Sequence, residues 1–191
     1  MWYFGSFFAL PVSAAAEKNG LKFLLWIEPE RVRVGTWLDR ERPKWVLKTL
    51  QHMTTGLLNL GNKDARRWLT DTISGLIDEG ISVYRQDFNM DPIDYWKFAD
   101  KKTRQGITEI RHVEGLYEFW DELLRRRPGL LIDNCASGGR RLDLETVSRS
   151  MALWRTDYGL PILGLFPVRT GRLPVADVRT QPLASHDEHR N

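Results

Sequence analysis

Ile81-Ser82-Val83-Tyr84-Arg85-Gln86-Asp87-Phe88-Asn89 decides the fold of this chain. A short run rich in β-branched and aromatic residues reads as a strand, and this one closes on a carboxylate, Asp87. Just upstream, residues 63–79 carry Trp68, Leu69, Ile73, Leu76 and Ile77 at helical spacing, and Gly80 stops the helix. A helix therefore feeds a strand, and the alternation extends in both directions. Residues 21–27 (Leu-Lys-Phe-Leu-Leu-Trp-Ile) form a first strand, followed by the polar loop Glu28-Pro29-Glu30. Residues 41–50 read as a short helix with Pro43 in its first turn. A loop over residues 88–108, containing Pro92, is long enough to suggest a function. Residues 113–127 predict an amphipathic helix through Leu116, Phe119, Trp120, Leu123 and Leu124, ended by Pro128-Gly129. A third strand over 130–134, a short helix over 141–150 and a fourth strand over 153–157 complete the pattern.

Alternating strands and helices imply parallel strands joined by right-handed crossovers. Polar residues gather after each strand's C-terminal end: Glu28 and Glu30, Asp87 and Asn89, residues 134–139, then Asp157. Parallel barrels build their reactive face in this way. A closed barrel needs eight strands and about 250 residues, whereas this chain offers four strand-helix units. The expected fold class is α/β, a partial (β/α)8 TIM barrel over residues 1–158, with an irregular tail over 159–191. That tail carries four prolines and no helical pattern.

Composition bounds the alternatives. A net charge of +3 over 191 residues is small, and Arg125-Arg126-Arg127 and Arg140-Arg141 read as solvated helix ends. No recognition motif accompanies them, so nucleic acid is not an expected partner. The single cysteine, Cys135, excludes a disulfide framework and fits a cytoplasmic location. No run is long enough to span a membrane. Residues 2–12 are apolar and precede Ala14-Ala15-Ala16, as in a secretory leader, but the positive start is missing. The preferred reading is the end of a helix over residues 11–20, closed by Gly20. None of the four histidines is paired at metal-ligand spacing with other candidates; His186 and His189 lie in the irregular tail. Neither a metal nor an organic cofactor is expected. Eight tryptophans favour a carbohydrate ligand, because indole rings stack on the apolar faces of sugars.

Two strand-end carboxylates, Asp87 and Asp157, suggest a nucleophile or base and a general acid facing one substrate. Arg85 shares a strand face with Asp87 and would keep it ionised, and Asn89 joins them if the strand continues. Trp154 and Tyr158 would give Asp157 a less polar wall. The alternative for each aspartate is a strand-end cap. Asn134-Cys135-Ala136-Ser137-Gly138-Gly139-Arg140-Arg141 is a small-residue loop that lets backbone approach a ligand, but it lacks the lysine and glycine spacing of phosphate-binding loops. Trp26 is either core or a stacking platform at the rim.

Four motifs in order resemble glycoside hydrolase family 36, the α-galactosidases or melibiases: Leu25-Trp26-Ile27-Glu28-Pro29-Glu30, Tyr84 to Asn89, Cys135 to Arg141 with Asp143, and Trp154-Arg155-Thr156-Asp157. The resemblance covers about residues 10 to 158. It implies that Asp87 is the nucleophile and Asp157 the acid/base of a retaining double displacement on terminal α-linked galactose. It further implies that Cys135 and Gly138 line the galactose pocket and that Trp26 stacks on substrate. The family commonly has Lys-Trp-Asp where this chain has Arg85-Gln86-Asp87. Family members are also much longer, so the chain is expected to be a fragment. The implied partner is an α-galactoside oligosaccharide, and homo-oligomerisation is left open. Two rival readings keep the same residues: a sugar-binding or oligomerising remnant without turnover, and a transglycosylase on the same fold.

Overall fold

The computed structural model describes residues 9–156. The first helix, α1 (Ala9–Lys18), ends at Gly20, whose φ of 68° is the left-handed closure expected of that glycine. The parallel sheet follows the predicted runs closely: β1 (Leu24–Ile27), β5 (Val83–Gln86) and β6 (Leu131–Asn134), in the order β1-β5-β6. Leu25 pairs with Tyr84, and Tyr84 with Ile132. The long helices α3 (Lys63–Asp78) and α5 (Ile107–Arg126) pack on one face of this sheet.

Alternation along the strands explains the division of labour. Ile27, Tyr84 and Ile132 point toward the helices and join Leu69, Ile73, Phe119, Trp120 and Leu123 in the main core. Burying each large apolar side chain of this kind contributes about 1.5–3 kcal/mol. Leu24 and Trp26 lie on the other face and stay substantially exposed. The approach of α5 to the chain before α3 is close. A Cβ added at Gly115 would sit 2.2 Å from the Leu60 carbonyl oxygen. Gly115→Ala is therefore expected to destabilise the fold by about 1–3 kcal/mol, read as a lower denaturation midpoint with an unchanged slope.

Several expectations are corrected. Residues 41–50 do not form a helix. Instead α2 spans Trp37–Glu41, Pro43–Trp45 make a 3-10 turn, and the chain enters a strand. Pro43 cannot donate to a helical ladder. A second, antiparallel sheet in the order β2-β4-β3 joins Arg31–Arg33, Thr55–Leu58 and Val46–Leu47, where no strand was expected. The loop over 88–108 holds a helix, α4 (Ile93–Ala99), with Pro92 at its N-cap. Helix α5 starts six residues before the predicted residue 113, because the Asp100 carboxylate accepts hydrogen bonds from the backbone of Gly106 and Thr108 and so caps it from upstream. Helix α6 spans only Leu144–Arg149, with Asp143 closing a capping box.

The fourth strand also differs. Among the described residues of this stretch Met151 alone bridges β6, at Asp133, and residues 153–156 are not in a strand. The Asp133 side chain takes the Leu153 backbone N–H at 2.9 Å and so ends the ladder. Asp157 lies outside the described residues. Among those residues no helix is long and apolar enough to cross a membrane.

Candidate active site

Because β1, β5 and β6 are parallel, their C-terminal ends open onto one rim, and side chains tie the three loops there together. Asp87 stands at its centre and is nearly buried. Its Oδ2 accepts the Trp26 indole N–H at 3.0 Å, and its Oδ1 accepts the Phe88 backbone N–H at 2.7 Å and the Ser137 N–H at 3.4 Å. Burial pushes the Asp87 carboxyl upward. Hydrogen bonds from Asn89, Trp26, Phe88 and Cys135 outweigh it and hold the group below the usual carboxylate range. Asp87 is thus an anion at neutral pH. Trp26→Phe removes one donor and is expected to move this carboxyl upward, which a 13C NMR titration of Asp87 would read.

Cys135 is buried, and burial followed by the neighbouring Asp87 charge pushes its thiol up. It is therefore a neutral donor to Asp87 and a poor nucleophile. The turn after it is tight: Ser137 has φ 46° and Gly138 φ 82°, both left-handed. This geometry aims the Ser137 backbone at Asp87 while its hydroxyl donates to Asn89 Oδ1 at 2.9 Å. Asn89 itself bonds Asp87 and donates its backbone N–H to Glu28 at 2.7 Å. Trp26 keeps half its surface exposed. Its ring can therefore offer a face to a ligand while its N–H stays on the carboxylate.

The structure thus brings together Trp26, Asp87, Asn89, Cys135 and the Ser137–Gly138 turn. It corrects Arg85, whose guanidinium is paired with buried Asp133 on β6 and not with Asp87. Hydrogen bonds, not a neighbouring cation, keep Asp87 ionised. Gly139 approaches the Arg155 carbonyl so closely that a Cβ there would lie at 2.5 Å.

Behind the rim lies a cluster that the sequence reading missed. Glu30 is fully buried. Arg141 clasps it with two bonds of 2.7 and 2.8 Å, His112 Nε2 lies 2.8 Å from Oε2, and the Gln86 amide donates at 2.9 Å. Arg141 is therefore not the solvated helix end expected of it. Burial pushes Glu30 up, but Arg141 and His112 more than compensate and hold it far below the usual range. These partners are 56 to 111 residues apart in sequence, so no local pattern announces them.

A parallel α/β sheet with helices on one face and a carboxylate at a strand's C-terminal end fits part of a (β/α)-barrel. The comparisons make the class specific. The profile of the Melibiase family matches residues 9–166, and the chain belongs to that family. Curated relatives include α-galactosidase 2 of Pediococcus pentosaceus, 28% identical over 80% of this chain and 22% of its own length. Another is the bifunctional α-galactosidase/sucrose kinase AgaSK of Mediterraneibacter gnavus, 30% identical over 73% of this chain and 15% of its own. Among solved structures, the GH36 α-galactosidase AgaA of Geobacillus stearothermophilus in complex with stachyose superposes with a TM-score of 0.67 at 27% identity, over 77% of this chain and 21% of that one. The α-galactosidase of Lactobacillus brevis gives 0.69 at 25%, over 78% and 21%. The resemblance drawn from the four motifs is borne out, as is the partial barrel. The chain spans 15% to 22% of the length of these relatives.

Proposed function

We propose that this chain carries part of the active site of a retaining α-galactosidase, with Asp87 as the nucleophile. The observation that supports this most directly is the Asp87 carboxylate, held ionised by several donors beside the half-exposed Trp26 ring. A nucleophile in double displacement must be anionic while it waits for substrate. The substrate class is a terminal α-linked galactoside, in line with the names of the relatives. Trp26 stacks on the sugar, while Asn89, Cys135 and Gly138 line the pocket. Asp157 protonates the leaving glycosidic oxygen as Asp87 attacks the anomeric carbon. Asp157 then takes a proton from water, which releases galactose from Asp87 with the original anomeric configuration. Arg85 bears on the site indirectly, through Asp133.

The test is to trap the intermediate with a fluorinated α-galactosyl fluoride and map it by mass spectrometry. A single galactosyl adduct on the peptide containing Asp87 is expected. An adduct elsewhere, or none, would overturn the nucleophile assignment for this chain.

A further inference from the structure

The residue before Asp87 and the residue after it are both gripped by the same buried ion pair. Gln86 points away from the rim, as alternation along β5 requires, and its amide donates to Glu30 Oε1 at 2.9 Å. Its carbonyl accepts the Trp120 indole N–H at 2.7 Å and the Tyr84 hydroxyl at 3.1 Å. Those two donors leave one orientation open to the amide, with oxygen toward α5 and nitrogen toward Glu30. On the other side, the Arg141 guanidinium that clasps Glu30 sits over the Phe88 ring, its Cζ 3.9 Å from the centroid. The Asn134 side-chain amide donates to the Arg141 backbone carbonyl at 2.7 Å, and the Cys135 backbone N–H donates to the Gln86 backbone carbonyl at 2.8 Å. The pair therefore also fixes the start of the loop that carries Cys135 and Ser137.

We infer that Gln86, Glu30 and Arg141 are positioning residues that aim the Asp87 carboxylate at the rim. They act from the opposite face of β5 and touch no reacting atom. Glu30 accepts two bonds on each oxygen, so every partner it loses leaves a buried charge less compensated. The inference rests on Asp87 being the residue that needs aiming, but its test does not require turnover.

The reporter is the Trp26 indole N–H, which bonds the Asp87 carboxylate. Its proton signal is recorded by NMR in the full chain, in Asp87→Ala as the reference without that bond, in Gln86→Met and in Arg141→Lys. Gln86→Met keeps the volume and removes the amide. Arg141→Lys keeps the charge and removes the fork and the guanidinium contact with Phe88. In both, the Trp26 signal is expected to move toward its Asp87→Ala position while far-UV circular dichroism stays that of the native chain. A Trp26 signal unmoved in both folded variants would overturn the inference. Loss of cooperative unfolding in both would overturn it too, since the cluster would then be holding the fold and not an aim. A displaced signal in a chain that never forms the galactosyl adduct would uphold the positioning and reject the catalytic reading.

Discussion

Asp87→Asn is expected to lower turnover of α-galactosides by on the order of 10^4-fold or more, with the fold retained. Asparagine has the same shape but a single oxygen, so it can accept from the Phe88 N–H or from the Trp26 indole and not from both, and a loss of stability of about 1–3 kcal/mol is expected alongside the retained fold. Under the proposed double displacement, however, an amide cannot form the galactosyl ester. The loss should therefore fall on kcat and kcat/KM alike, with no adduct at position 87. Steady-state kinetics on an aryl α-galactoside checks this. Substantial residual turnover would remove Asp87 from the nucleophile's role.

The second large effect is on stability. Glu30→Ala is expected to cost about 3–5 kcal/mol, because Arg141 loses both partners of its fork inside the protein and the Gln86 amide loses its acceptor. Chemical denaturation at neutral pH measures it. Removing Glu118, which pairs with Arg66 at the surface, should cost far less. The charge on Glu30 also sets a pH dependence. Its carboxyl is depressed in the folded chain from an ordinary value of 4.5. Its contribution is therefore fully present above that value and is lost as pH falls toward the folded one. The stability gap between the parent chain and Glu30→Gln should accordingly narrow as pH drops from about 5 to 2. A gap independent of pH would show that Glu30 gains nothing from its ionisation.

How much of this was legible in the sequence depended on the range of each interaction. Helices α3 and α5 are long enough for a 3.6-residue period to emerge, and both were read with the right apolar faces. Strands β1, β5 and β6 were read from apolar runs ending in polar residues. The antiparallel sheet was not, because Arg31–Arg33 and Val46–Leu47 are too short to show any alternation and are strands only through pairing with Thr55–Leu58. At the site, Asp87, Trp26, Asn89 and Cys135 were legible from the motifs that resemble family 36. Arg85 was misjudged, since same-face neighbours along a strand compete with cross-strand partners, and Asp133 pairs directly opposite it on β6. Ser137 reaches Asp87 through a left-handed backbone that a serine does not advertise.

The Glu30–Arg141 pair closes a span of 111 residues. A contact so distant along the chain exacts a large loop-closure entropy and forms only after nearer contacts, such as the packing of α3 against α5, have shortened the effective span. The pair is therefore expected to form on the native side of the folding barrier, which refolding and unfolding rates of Glu30 and Arg141 variants would check. Substitutions at Glu30 or Arg141 would then leave the refolding rate nearly unchanged and speed unfolding, so that the lifetime of the native rim, not its rate of assembly, carries their effect.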